Sequence, residues 1–298
     1  MSREIDSRPK RRRFRMEKLV PFAFIAPFLI SFLVFFLAPS VMSVGLSFFR
    51  YKGYGTATWV GLHNYLSLFS SPDFWRSLSN TAFYWAVPLI PIMGGAFLLA
   101  LLVRSKITRW PKTVKPLVFL PQVMAPVAAA LVWRVILSSN GVLNSLLGLK
   151  IDWLGNPSAM RWSVAMLLIW RALGWYFVVF LSGLTTVPDE LLEASAVDGA
   201  KAWQSTVHIV IPLMRPVFLF AFVIDSVGSL QLFTEPNLLV GSVGATAGAP
   251  PGAAPIMNQV VGNIASGQFG LAAAVGWLIF IVAGVFSIIQ FRLFRGGR

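Results

Sequence analysis

Cysteine is absent from this 298-residue chain, so it can build neither a disulfide framework nor thiol chemistry. Histidine occurs only at His63 and His208, with no clustered acids, which leaves no ligand set for a His-based metal centre. Charge is scarce as well. Only 12% of residues are charged, and the acids number 11 against 25 Lys and Arg. A soluble domain needs far more surface charge than that. The chain is instead 56% hydrophobic, with a mean hydropathy of +0.72. Its apolar runs are long enough to cross a hydrocarbon layer of ~30 Å. The composition therefore predicts an all-α polytopic membrane protein. The formal charge of +14 then bears on topology, and no nucleic-acid partner is expected.

Six spans are expected, at about 20–37, 81–103, 116–137, 163–184, 217–240 and 269–291. Residues 19–298 then form one transmembrane domain behind a basic arm, 1–18. Span one is expected to end near Pro39, and spans two and three carry internal prolines at Pro88, Pro91, Pro121 and Pro126. The run after the arm is too long for a signal-peptide core, and no convincing cleavage site follows. The arm reads as a cytoplasmic tail that fixes topology, with anionic lipid headgroups as an added contact.

An even number of spans puts both termini on one side. That side holds eight Lys and Arg in the arm, five in the second connector, two in the fourth and three in the tail. The opposite side holds five: Arg50, Lys52, Arg76, Lys150 and Arg161. The imbalance predicts that both termini lie in the cytoplasm.

One connector departs from the basic pattern. Residues 185–216 carry Asp189, Glu190, Glu193 and Asp198 against Lys201 and Arg215. Thr186 with Asp189 suggests a capping box, and Pro188 suits a first helical turn. Asp198-Gly199 signals a left-handed turn, and a second helix is expected from Ala200 through Trp203 to just before Pro212. Small residues Ala194, Ser195, Ala196 and Ala200 flank the turn, so another surface can approach closely.

Glu193-Ala194-Ser195-Ala196-Val197-Asp198-Gly199-Ala200, followed by Ile209 and Pro212, resembles the EAA motif of membrane subunits of bacterial ABC importers. Segments at Val60–Thr81, FLPQVMAPVAAALVW and WRALGWYFVVFLSGLTTVPDELLEA extend the likeness to the carbohydrate-importer permeases. Ser195 departs from the usual second Ala, Thr206 from a usual Phe and Ile211 from a usual Leu. Val240-Gly241-Ser242-Val243-Gly244 stands where a Gly-Gly-Gly-Pro element is common.

The resemblance implies a type I ABC importer permease fold with a cytoplasmic coupling helix between spans four and five. It implies a second homologous permease subunit, a different chain by the sugar-class likeness. Two copies of a cytoplasmic ATPase and an extracytoplasmic solute-binding protein complete the assembly. The chain has no G-x-x-x-x-G-K-[ST] loop, so no cofactor is expected on it, and ATP and Mg belong to the partner ATPase. The resemblance assigns ATPase coupling to Glu193, Ala194, Ala196, Asp198, Gly199, Ala200, Trp203 and Pro212.

Charges inside spans are costly and are either paired or functional. Arg171, Asp225 and Glu235 are the candidates, and an Arg171–Asp225 ion pair is one structural reading. The substrate-path reading takes Trp170, Arg171, Gly174, Trp175 and Tyr176 from span four, and Asp225, Ser229, Gln231 and Glu235 from span five. Gln122 and Trp133 in span three are weaker candidates, and packing is the alternative role for any single aromatic. Cargo other than sugar, such as glycerol-phosphate or a polyamine, stays open. A membrane enzyme would need clustered catalytic acids or histidines, which the sequence does not offer. A channel or receptor would leave the EAA-like helix unexplained.

Overall fold

The computed structural model describes residues 13–105, 111–241 and 248–295. Most of the basic arm, Lys106, Arg109, the 242–247 stretch and Arg298 lie outside the described residues.

The chain opens with α1 (Arg13–Phe32), a wide π turn (Leu33–Leu37) and α2 (Ala38–Leu46). The first span, Phe24–Leu46, does not end at Pro39 as expected. Pro39 removes an N–H and crowds the carbonyl one turn back, and the wide turn relieves both. Ser40 Oγ donates to the Phe36 carbonyl at 2.7 Å in the same turn. A short hairpin of β1 (Phe49–Arg50) and β2 (Thr58–Trp59) follows, pairing Phe49 with Trp59 and Arg50 with Thr58. Helix α3 (His63–Phe69) packs beside it.

Span two is longer than the hydropathy suggests: α4 runs from Pro72 to Arg104, with Pro72 in its first turn after an extended Ser71. Ser77 and Asn80 lie ahead of the expected start at residue 81, yet with Thr81 they are buried in the helix. Asn80 donates to the carbonyls of Pro251 (3.1 Å) and Ala254 (2.9 Å), and Thr81 Oγ1 accepts from the Ile256 N–H at 2.8 Å. Tyr84 donates to Ala253 O at 2.8 Å. The Gly/Ala/Pro-rich segment is thus pinned into the bundle by polar side chains of α4.

Span three is not one helix. It breaks into α5 (Pro111–Val123) and α6 (Pro126–Ile136), bent by 97°. Ala125 is forced out of the helical region by the following proline and has ψ 135°. The connector between spans three and four contains α7 (Val142–Leu147). Helix α8 begins at Pro157, earlier than expected, because Asn156 caps it by accepting the Ser158 N–H at 2.9 Å, and it runs to Leu184.

The connector holds α9 (Asp189–Val197), α10 (Ala202–Ser205), a second wide turn (Thr206–Val210) and α11 (Ile211–Leu213). Its second helix passes through Pro212 rather than stopping before it, again by a π turn just upstream of the proline. A 69° bend leads into α12 (Arg215–Leu230). Span five was expected to reach residue 240, but it stops at Leu230 and restarts as α13 (Thr234–Val240). Pro236 has no N–H for the Leu232 carbonyl, so it fits the first turn of a new helix but not the interior of a continuous one. Helices α14 (Met257–Ala265) and α15 (Phe269–Arg295) complete the chain.

Among the described residues four helices are long and apolar enough to cross a membrane, and the count rises to six if each bent pair is one span. The centre is the contact of α4 with α8. Ala96 and Ala100 of α4 are fully buried beside Phe177 and Phe180 of α8, small residues admitting close approach and large ones filling the gap. Gly183 of α8 lies where a Cβ would sit 2.9 Å from Val217 of α12.

Candidate coupling surface and substrate cleft

Two regions collect the residues that the sequence singles out. The first is the α9 end of the bundle. Gly199 adopts φ 80°, the left-handed conformation its sequence context demands. Its N–H donates to Ala196 O at 3.1 Å, and the Ala200 N–H donates to Ser195 O at 2.9 Å. These bonds close a Schellman turn on α9. The expected Thr186–Asp189 capping box does not form: Pro188 is the N-cap residue, and Thr186 Oγ1 donates back to Gly183 O at 2.8 Å. Arg104, at the end of α4, supplies the anchor instead. Its guanidinium donates to the Leu184 carbonyl, to Val187 O at 2.8 Å and to Asp189 Oδ1 at 2.6 Å. One side chain thereby ties the ends of α4 and α8 to the start of α9.

The outer face of this loop is open. Glu193, Ala194, Ala196, Asp198, Gly199 and Trp203 are exposed, Val197 is 87% exposed, and Ala200 is half-buried. Pro212 is half-buried in the helical stretch behind them. Ser195 alone of the motif turns inward. Its hydroxyl donates to Leu192 O and lies 2.8 Å from Ser205 Oγ, so Ser205 donates to it and α9 is held against α10. The departure from the usual Ala at this position therefore carries a hydrogen bond that the motif comparison alone does not reveal. Arg104 and Ser205 were likewise missed. Arg104 acts mainly on backbone carbonyls some eighty residues away, which leave no side-chain pattern to read.

The second region is a cleft of about 320 Å³ among α4, α5, α8 and α12. Trp175, Tyr176, Asp225 and Ser229 line it together with Gln122 and Tyr84. The Tyr176 phenol lies beside the Asp225 carboxylate on the cleft wall. The other span-four and span-five candidates stand elsewhere. Gly174 is a packing residue, because a Cβ there would run into the Val118 carbonyl and sit 3.0 Å from Phe119 Cα. Trp170 packs edge-on against Trp133, with ring centroids 6.0 Å apart. Gln231 is an exposed residue past the end of α12.

Arg171 pairs with Glu235, not with Asp225. The break after Leu230 turns Glu235 back towards α8, while Asp225 stays on α12 facing the cleft. Arg171 and Glu235 are only 13% and 18% exposed, and the Arg171 Nε–H is buried without a partner. Among the described residues no group of His, Asp and Glu is placed to hold a metal ion.

Residues 92–295 match the family described as binding-protein-dependent transport system inner membrane component. This chain belongs to that family. The match runs from Ile92 in α4 through the α9 loop to α15 and takes in the cleft lining except Tyr84 and Pro88. The probable ABC transporter permease protein YesP of Bacillus subtilis is 30% identical over 96% of this chain and 94% of its own. The arabinooligosaccharides transport system permease protein AraP of Bacillus subtilis is 32% identical over 94% and 90%. The trehalose/maltose transport system permease protein MalF of Thermococcus litoralis is 27% identical over 95% and 96%. A crystal structure of a bacterial ABC transporter that imports the acidic polysaccharide alginate superposes with a TM-score of 0.81 at 24% identity. That match covers 96% of this chain and 98% of the other, and establishes the shared fold. The family membership and the apolar helices together make the chain a multi-pass membrane transport permease.

Proposed function

We propose that the chain is the permease subunit of an ATP-driven importer of a mono-, di- or oligosaccharide, working by alternating access with both termini in the cytoplasm of a bacterium. The observation that carries this reading is the exposed α9 turn, rigidly closed at Gly199 and anchored by Arg104, in a chain without a phosphate-binding loop of its own. Such a turn suits a groove on a cytoplasmic ATPase, with Glu193 meeting a basic or backbone-donor site there. ATP and Mg are then held by two ATPase copies. A second permease chain supplies the remaining wall of the pathway, and a solute-binding protein delivers cargo from the opposite side.

The sugar assignment draws on the arabinooligosaccharide and trehalose/maltose permeases among the relatives. The cleft supports it. Trp175 and Tyr176 offer aromatic faces for sugar C–H surfaces, while Asp225, Gln122 and Ser229 offer partners for hydroxyls. The anionic alternative, a glycerol-phosphate, loses its main support because Arg171 is neutralised by Glu235 outside the cleft.

Gly199→Asp tests the coupling assignment. A Cβ at Gly199 meets nothing within 4 Å, so the substitution strains the turn without a clash. The variant is expected to insert and to pair with its partner chain, yet to lose substrate-stimulated ATP hydrolysis in proteoliposomes. A complex retaining full stimulation would overturn the assignment. Uptake of a panel of labelled sugars, glycerol-phosphate and polyamines, each with the cognate binding protein, tests the cargo.

A further inference from the structure

At the end of the bundle remote from α9, a cleft of about 420 Å³ opens between the β1–β2 hairpin, α3 and the start of α15. Arg50, Lys52 and His63 line it with Ser67, Ser266 and Gln268, and no acidic side chain is among the described lining residues. Neither Arg50 nor Lys52 forms an ion pair among the described residues. The side of the chain poor in basic residues thus places two of its five Lys and Arg in one cleft and leaves both uncompensated.

The cleft is a built feature of the fold. Asn64 is buried and donates to Ser47 O at 2.7 Å and Phe49 O at 3.0 Å, and Tyr65 donates to Ser47 Oγ at 2.8 Å. These bonds fix α3 to the hairpin. Phe269 N–H donates to Tyr51 O at 3.0 Å, fixing α15 to the same strand. Gly270 permits that contact, since a Cβ there would collide with the Phe49 carbonyl.

Its depth in the membrane follows from the two spans that flank it. The first ends at Leu46, four residues before Arg50, and the last begins at Phe269, beside Gln268. The cleft therefore sits at the boundary of the hydrocarbon, whichever way the chain is oriented. The surrounding surface has the character of that boundary. Leu62, just ahead of α3, and Leu66 and Phe69 within it are exposed, as are Trp59 and Trp75, and aromatic side chains of this kind favour headgroup level.

We propose that this cleft binds the phosphate of an anionic phospholipid of the phosphatidylglycerol class, with Arg50 and Lys52 as its cationic ligands. The acyl chains would lie along the exposed apolar face of α3 and the adjoining first span, while His63, Ser67 and Gln268 offer hydrogen bonds to headgroup oxygens. An uncompensated pair of cations facing headgroup depth, next to unpartnered apolar surface, fits a lipid that joins a negative charge to acyl chains. A zwitterionic lipid supplies the same phosphate without net charge.

Native mass spectrometry of the full chain tests this, with defined phosphatidylglycerol or phosphatidylcholine added in detergent. The unsubstituted chain is expected to retain phosphatidylglycerol in preference to phosphatidylcholine. Arg50→Gln and Lys52→Gln should each weaken that retention roughly fivefold, the order expected for one cationic side chain at an anionic lipid surface. Arg76→Gln, which removes a charge from a separate cleft, should leave it unchanged. Lys52→Gln alters an exposed side chain, so it reads the site even where Arg50→Gln folds poorly. Equal retention of the two lipids, unchanged retention in Lys52→Gln, or displacement of the lipid by excess inorganic phosphate would each overturn the proposal.

Discussion

Arg171 shows how an isolated charge in a span resolves into structure. Its guanidinium meets Glu235 across the break in span five, and both side chains are largely enclosed. A buried pair adds little over an apolar replacement, but removal of one partner strands the other. Glu235→Ala is therefore expected to destabilise the fold by about 3 kcal/mol, whereas Arg171→Met with Glu235→Leu should cost far less. Thermal unfolding in detergent distinguishes the two, and equal losses would show that the pair is not acting as a unit. The Ser195–Ser205 bond is a smaller, local case. Ser195→Ala and Ser205→Ala should each cost about 1 kcal/mol and should add less than fully when combined, because both remove the bond between them.

At the level of helices, glycine positions separate contact from turn. Gly174 brings α8 against the backbone of α5, while Gly228 of α12 has open space where its Cβ would be. Gly174→Val is expected to lower stability by about 1–3 kcal/mol through overpacking, and Gly228→Ala to change it little. Comparable unfolding midpoints for the two would remove the close α5–α8 contact from the account. Helix existence was legible in the sequence because hydropathy runs are long, and the Gly199 turn was legible because Asp-Gly has few other uses. Helix ends were not. Asn80 looks like a loop residue until its acceptors in the 251–256 segment are known. The breaks in spans three and five depended on whether Pro126 and Pro236 begin new helices, while Pro39 and Pro212 lie within continuing ones behind π turns. A proline signals disruption in every case, and its neighbours in space decide the form. The cleft was legible only in part for the same reason. Trp175, Tyr176, Asp225 and Ser229 face it, yet Arg171 and Glu235 left it for each other once the chain bent after Leu230.

For the whole molecule, the proposed coupling requires that movement at α9 reach a cleft lined by the middle of the bundle. Arg104 gives a physical route. It holds the starting turn of α9 and the end of α8 from the end of α4, and α4 and α8 together supply Tyr84, Pro88, Ile92, Leu168, Ala172, Trp175 and Tyr176 to the cleft wall. Both helices are continuous between the clamp and the cleft, with Pro88 and Pro91 of α4 only at its cleft end, so a displacement of α9 acts on them as levers rather than through a flexible loop. The clamp and the cleft should then fail in different ways. Asp225→Asn is expected to raise the sugar concentration needed for half-maximal uptake, with basal ATP hydrolysis by the reconstituted complex unchanged. Arg104→Met removes the guanidinium but keeps much of its apolar stem, so packing at the end of α4 survives. It is expected to leave sugar dependence near normal while lowering the maximal uptake rate and severing ATP hydrolysis from transport. Paired uptake and ATPase measurements on the two variants give the comparison. Equal losses of affinity in both would mean that the clamp shapes the cleft at rest, and normal coupling in Arg104→Met would mean that α9 moves the bundle by another contact.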